Sequence, residues 1–420
     1  MIDQLPDHRP LPADVRMRAR QRLSEGMDTP VRNGRPVLIA AGVSLLAAGT
    51  VFASQALLGT TADVAAPPMQ HNGEFVGKDR ALVNNVEKGV VAPDALARCT
   101  AVATSAHPPA AEWTPIATSR KNGTVLSAFR VPAGVFFCAN TATTTTLSAP
   151  DAATVSDDLR QVKILFTTPT GAMAGLVSPD VKILGLSRVG DKGENNEYPG
   201  IVDGLFFGPT GFTKPENGTM ALVNGHDFAV RGVPKPTKPV VDRPLPPADR
   251  ETPEQQNFAK CLRDRPIPDA DQFAHAQSVK VSGTDTMILG RFNDLLLYCR
   301  NASESPTAGF VIELDDLKEV RGTTIAGTSA FYDFTPSTVD DKGEYHGGGS
   351  NSAKVIGLVL DPRATSITYT SPGVGDASAT IAGGTFVLNA SLLDRSPEAR
   401  VVVRDAAGKV LETITPQNPS

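Results

Sequence analysis

The sequence predicts an α+β protein: an N-terminal transmembrane helix followed by two tandem, mainly β modules, each opened by a short helix. Three observations predict it. A long uncharged apolar span stands near the N-terminus. An apolar run ending in cysteine, one residue and asparagine, "RVPAGVFFCAN" at Arg130–Asn140, recurs as "RFNDLLLYCRN" at Arg291–Asn301. Proline (34) and glycine (37) are abundant in a chain of 420 residues, which favours short strands and many turns over long helices.

Composition bounds the rest. Apolar residues make up 40% and charged residues 20%, as in folded chains. Aromatic residues are only 5%, with one tryptophan, Trp113, so the cores rest on Val, Leu, Ile and Ala. The length exceeds one ordinary core and predicts two or three domains. A net charge of −5 argues against nucleic acid as a partner, because phosphate binding needs a basic face.

The span "PVLIAAGVSLLAAGTVFASQALLG", Pro36–Gly59, carries no charged residue. A bilayer core needs roughly 20 apolar residues in a helix, and this stretch supplies them. Arg16, Arg18, Arg20, Arg22, Arg32 and Arg35 precede it, whereas only Lys78 and Arg80 follow it up to position 80. That asymmetry places residues 1–35 in the cytoplasm and the bulk of the chain outside the cell membrane. Two other readings compete. One is a signal peptide cut near "DVAA" (Asp63–Ala66), although its basic region and apolar run are long for that. The other is a buried core helix. Within the arm, Val15, Ala19, Leu23 and Met27 recur at four-residue spacing, with Pro12 and Gly26 at suitable ends for a helix. Such an arm docks a cytoplasmic partner, or lies on anionic lipid and enforces topology.

The chain has four cysteines, Cys99, Cys138, Cys261 and Cys299, all on the expected outer side, where disulfides persist. Three pairings are possible. The repeat selects one. "DALARCTA" (Asp94–Ala101) parallels "NFAKCLRD" (Asn257–Asp264), each a short helix with a basic residue before the cysteine. Positions 99 to 138 and 261 to 299 differ by 39 and 38. Near-equal spacing predicts that each module staples its own helix to its own strand, Cys99 to Cys138 and Cys261 to Cys299. Zinc ligands sit much closer together in sequence than this.

Fainter pairs follow. "AGLVSPDVKILGLS" (Ala174–Ser187) parallels "IGLVLDPRATSITYT" (Ile356–Thr370). "GIVDGLFFGP" parallels "TIAGGTFVLN", and "TMALVNGHDFAV" parallels "ARVVVRDAAGKVLET", the last pair reading as a β-hairpin. The second copy has an insertion of about 20 residues before "IGLV". The expected plan is then arm 1–35, transmembrane helix 36–59, linker 60–90, module 91–232, proline-rich linker 233–254 and module 255–420. "VPKPTKPVVDRPLPPADRETPE" reads as a stiff extended spacer. "CANTATTTTLSAP" reads as a surface loop.

No catalytic signature is present: no G-x-S-x-G, S-x-x-K or H-E-x-x-H, and no glycine-rich phosphate loop. No cofactor or metal site is predicted. His226 and Asp227 fall in the expected turn "NGHDF". "GDKGENNEYPG" and "DDKGEYHGGG" share D-K-G-E followed by tyrosine. Asp191, Glu194 and Glu197, or Asp340, Asp341, Glu344 and His346, would offer oxygens to calcium, but their spacing does not match the twelve-residue calcium loop. Solvated loops are the simpler account. The sequons at Asn122 and Asn217 depend on the host.

With "LPADVRMRARQRL", "VLIAAGVSLLAAGTVFA" and "DAAGKVLET" in view, the layout resembles uncharacterised single-pass membrane proteins of actinobacteria, with a short basic cytoplasmic arm and a duplicated extracytoplasmic module. The resemblance implies a sensing or anti-sigma-like role beside regulators of envelope stress. The arm lacks the His/Cys zinc motif found in many anti-sigma domains. Three functions follow from the sequence. The outer modules bind an envelope ligand or protein partner; or the chain is a structural envelope spacer; or it is a surface enzyme.

Overall fold

In the computed structural model, residues 84–153, 162–181, 183–188, 197–210, 218–223, 226–263, 266–282, 285–301, 310–335, 338–339, 345–346, 349–372, 375–390 and 397–417 are described. The basic arm, the apolar span at 36–59, Asp191, Glu194, Asn217, Asp340, Asp341 and Glu344 lie outside them. Among the described residues no helix is long and apolar enough to cross a membrane.

Each module opens on the helix read from the sequence. α1 is Pro93–Ala101, with proline in its first turn, Asp94 beside the positive end of its dipole and Arg98 in its last turn. α2 is Pro253–Arg263, with Glu254 and then Lys260 and Arg263 in the same arrangement. After each comes a 3₁₀ turn, Ala110–Glu112 or Ala270–Gln272, and an antiparallel meander.

In the first module β1 (Val86–Lys88) precedes α1. The meander is β2 (Thr114–Lys121), β3 (Thr124–Val131) and β4 (Gly134–Asn140), followed by β5 (Thr144–Leu147). The β2–β3 hairpin turns at Asn122 and Gly123, with φ of 51° and 79°. A two-residue turn with both φ positive matches the twist of the strands it joins, which is why Asn-Gly stands there. Next come β6 (Val162–Thr167), β7 (Met173–Val177), β8 (Leu184–Arg188), β9 (Gly200–Val202), β10 (Leu205–Gly208), β11 (Thr219–Val223) and β12 (His226–Ala229). β13 (Val240–Val241) belongs to the proline-rich connection.

The second module runs β14 (Ala274–Ser282), β15 (Asp285–Phe292), β16 (Leu295–Asn301), β17 (Phe310–Glu313), β18 (Val320–Arg321) and β19 (Ile325–Thr335). Then come β20 (Thr338–Val339), β21 (Tyr345–His346), β22 (Gly349–Val359), β23 (Ser366–Thr370), β24 (Ala377–Ala382), β25 (Thr385–Leu388), β26 (Arg400–Arg404) and β27 (Val410–Ile414).

Strand order shows the duplication. The second module has β19-β22-β25-β24-β23-β26-β27 in one sheet. The first has β6-β7-β10-β9 and β12-β11-β8. Among the described residues one bridge, Leu186 to Glu197, joins those two pieces at the position where β23 meets β24. The order is therefore the same in both copies. The faint sequence parallels fall on equivalent strands: β7 and β8 on β22 and β23, β9 and β10 on β24 and β25, β11 and β12 on β26 and β27. The inserted residues of the second copy lengthen the β19–β22 hairpin, with β20 and β21 paired near its end.

Alternation along the strands builds layered cores. In the first module Phe207 joins Leu126, Phe137 and Phe166 between the meander and the second sheet. Its neighbour Phe206 points the other way, to Met173, Leu186 and Val223, where that sheet packs on its own continuation. Val387 and Phe386 divide in the same manner in the second module. A third cluster lies between helix and meander: Cys99, Trp113, Phe129, Phe136 and Cys138 in one copy, Phe258, Phe273, Ile288, Leu297 and Cys299 in the other.

Counting back from the cysteines aligns those two clusters. Phe129 lies nine residues before Cys138, and Gly290 nine before Cys299; Leu96 lies three before Cys99, and Phe258 three before Cys261. The large ring has moved from strand to helix. A Cβ at Gly290 would lie 2.1 Å from Cζ of Phe258.

Three sequence readings change. "CANTATTTTLSAP" contains β5, with Thr145 and Thr146 buried, because threonine is a strand former as well as a loop residue. His226 and Asp227 are not in a turn but pair with Val223 and Leu222 on β12. Residues 84–90, read as connection, supply an edge strand paired to β2.

The exchange of ring and glycine carries a test. Gly290→Ala should destabilise the protein by about 1–3 kcal/mol in chemical denaturation, by overpacking. Adding Phe258→Leu should recover most of the loss. Additive losses in the double variant would mean the two positions do not share one space.

Candidate functional site

The disulfides are the four predicted residues, in the predicted pairs: Cys99–Cys138 and Cys261–Cys299, with Cα separations of 6.1 and 6.3 Å. No free cysteine remains. A loop of this length contributes about 4 kcal/mol in the chain-entropy picture. Two disulfides in a mostly β chain fit an oxidised, extracytoplasmic domain.

The shared asparagine of the repeated run has a role in the first module. Asn140 is buried, and its Nδ2 donates to Sγ of Cys99 at 3.3 Å and faces Sγ of Cys138 at 3.7 Å. Its Oδ1 accepts from Thr145 Oγ1 at 2.7 Å. The bridge is thus tied to the turn Thr141–Thr144 that follows it.

That turn is gripped from three directions. From α1, Arg98 donates to the carbonyls of Thr141 and Thr144 at 2.7 and 3.0 Å. The same guanidinium is paired with both oxygens of Asp242, at 2.6 and 2.8 Å. Arg98 is 4% exposed, so this is a bidentate pair largely shielded from water. From the connection, β13 pairs with β5, Val240 to Thr145 and Val241 to Thr144, and Arg243 pairs with Asp94. The proline-rich segment is extended, as read, but it lies strapped along the first module.

From the second module comes Asp269, at φ 50°. Its carboxylate accepts from Thr141 Oγ1 at 2.8 Å, Ala142 N at 2.7 Å, Thr143 N at 3.3 Å and Thr143 Oγ1. Glu313 adds a second contact, accepting from Gly123 N at 2.9 Å. Burial pushes the Glu313 carboxyl upward, and the Gly123 bond opposes it. The two modules therefore meet directly. The counterpart of Arg98, Lys260, is exposed, and among the described residues it donates to Asn257 within its own helix.

A second cluster surrounds Glu197. The sequence placed this residue among solvated or calcium-binding oxygens, but it is 3% exposed. Its Oε1 accepts from Asn84 Nδ2 at 3.2 Å and Thr210 Oγ1 at 3.4 Å. Burial pushes its carboxyl up to about 7, against the opposing effects of Lys121, Asn84 and Thr210. Asp191 and Glu194, offered with it by the sequence, lie outside the described residues, and His346 of the alternative set lies on β21 in the other module. Among the described residues no group of three or more His, Cys, Asp or Glu side chains could hold a metal ion.

Comparison with protein-family models, with curated proteins and with solved structures gives no match. The internal duplication is then the one comparison that separates what both copies share from what one adds. Both share helix, disulfide, meander and curled sheet. Arg98 and Glu197 belong to the first copy, Asn84 and Asp242 to the segments flanking it, and Asp269 to the second.

Sequence reasoning missed the roles of Arg98 and Asp269, and it named Glu197 but in a solvated loop rather than a buried site. The basic residue before each cysteine was visible, but nothing local distinguishes the buried arginine from the exposed lysine.

Two outcomes follow. Asp269→Ala should cost about 2 kcal/mol, since several donors lose a charged acceptor. Calorimetry should then show the joint transition separating toward two; an unchanged single transition would mean the seam does not couple the modules. Burial raises the folded Glu197 carboxyl from its ordinary 4.5 to about 7. Its contribution to stability is therefore full below about pH 4.5 and lost as pH rises through about 7, a change of about 3 kcal/mol. Denaturant midpoints across that range should show the decline in the wild type, and Glu197→Gln should remove it.

Proposed function

We propose that the chain is a single-pass membrane protein whose two outer modules act as one rigid body that binds an envelope ligand or protein partner. The span at 36–59 anchors it and the arm at 1–35 faces the cytoplasm. The observation that supports this most is the seam: one carboxylate of the second module, Asp269, fills the turn next to the first module's disulfide. Fixing two stapled modules against each other preorganises a composite surface, which lowers the cost of ordering on binding.

The spacer reading asks for separation between modules. Here the proline-rich segment runs along β5 and the modules touch. In this reading the arm carries the bound state inward or anchors the protein, and its basic residues suit contact with an acidic partner or anionic lipid.

Topology is the first test. Protease added to intact cells should remove the mass beyond about residue 60 and leave a fragment holding residues 1–35. Soluble protein in the medium beginning near Ala66 would defeat the anchor. For the binding role, cross-linking in intact cells should capture the same envelope component with the wild type and lose it with Asp269→Ala, whose modules are uncoupled. Equal capture by both would place the binding on one module alone.

A further inference from the structure

The segment from Asn84 to Val90 stitches the described domain to everything before it in the chain. Its β1 pairs with β2, Val86 to Ser119 through Lys88 to Ala117. Ser119 Oγ donates to the Asn85 carbonyl and Thr118 Oγ1 to that of Val90, both at 2.7 Å. On its other side Asn84 N donates to the Tyr198 carbonyl at 2.9 Å. Val86 and Asn84 lie so close to Gly200 that a Cβ there would meet Val86 Cγ2 at 2.1 Å and Asn84 O at 2.3 Å. The strap thus joins the meander to the start of β9.

At the head of the strap two buried side chains face each other with complementary gaps. Asn84 Nδ2 donates to Glu197 Oε1 at 3.2 Å. Among the described residues, Asn84 Oδ1 and Glu197 Oε2 are left without a partner. With Glu197 ionised both are acceptors, and neither has anything to accept. One proton on Oε2 resolves both: the acid O–H donates to Oδ1 while the amide N–H donates to Oε1. An acid and a primary amide close such a two-bond ring by their own geometry, and the pair is 3% and 4% exposed.

We propose that Glu197 and Asn84 form a proton-operated clasp: the neutral acid holds the strap on the first module, and ionisation loosens it. On ionisation the proton leaves to solvent and the O–H···Oδ1 bond is lost. A carboxylate then remains in a site with little water. Two charged contacts bear on the strap among the described residues. Lys121, at the end of β2, exerts the field that favours the ionised form. Lys88 and Asp203 pair with each other at the far end of the strap, 48% and 46% exposed. Burial pushing the Glu197 carboxyl to about 7 puts the change near neutral pH. The clasp is read from the first module by itself; only its place at the root of a membrane anchor rests on the proposed function.

Hydrogen exchange on the full-length protein in detergent tests it, with protection expressed relative to the free-peptide rate at each pH. From about pH 6 to about pH 8, amides of Asn84, Glu87 and Gly89, which bond to Tyr198, Thr118 and Ile116, should lose protection about tenfold, while those of β6 and β7 keep theirs. In Glu197→Gln the side-chain NH₂ replaces the acid O–H, so protection should stay high across the range. Asn84→Ala should be weakly protected at both ends. Flat protection in the wild type would overturn the proposal. So would a Glu197→Gln profile that follows the wild type, or protection restored at about pH 8 by calcium chloride, which would mark a cation site. None of these outcomes depends on the topology result, so either proposal can fail alone.

Discussion

Each module depends on one covalent link between a short helix and the third strand of a meander. A nine-residue helix is too short to persist by itself in water. It is held because Cys99 or Cys261 fixes it on the sheet, and only then can its apolar face cover Phe129 and Phe136, or Ile288 and Leu297. In a chain with few aromatic residues the bridge does what a larger core does elsewhere. Once α1 is fixed, Arg98 is held at the one place where it can reach both the Thr141–Thr144 turn and Asp242. The seam with the second module is built on that turn, so a covalent constraint within one module prepares the non-covalent contact between two.

The parts of this architecture visible in the amino-acid order are those that repeat. Near-equal cysteine spacing pointed to the bridges, and alternating apolar residues to the paired strands, even where the two copies share little else. The parts that stayed hidden are single long-range events. Glu197 sits in "GDKGENNEYPG", which reads as solvated; its burial is decided by Asn84, 113 residues earlier, and by the fold of β9 and β10. Asp269 sits in a proline-rich stretch whose composition suggests a turn, and its partners lie more than a hundred positions away. Threonine misled in "CANTATTTTLSAP" because the same side chain suits a loop and a strand, and only β4 and β13 on either side decide between them.

The two copies also differ at their sheet margins. In the first, β1 lies outside β2 and β13 outside β5, so both margins of the meander sheet are covered by segments flanking the module. In the second, the sheet ends at β14 and β17. The added strands of the first copy belong to the chain's incoming and outgoing connections. Duplication supplied two similar bodies, and the connections made one of them the fixed point to which the rest of the chain is fastened.

The exchange of Phe129 with Leu96 for Gly290 with Phe258 reaches into how the protein is made. Four cysteines allow three pairings during oxidation, and one of them would join each helix to the other module's meander. That arrangement would press Phe258 against Phe129 in one place and leave Leu96 facing Gly290 across an unfilled space in the other. A chain sampling it meets a clash and a void at once, before any bond is sealed. The ring position therefore labels each helix for its own sheet, and near-identical halves can mature side by side without being mistaken for each other.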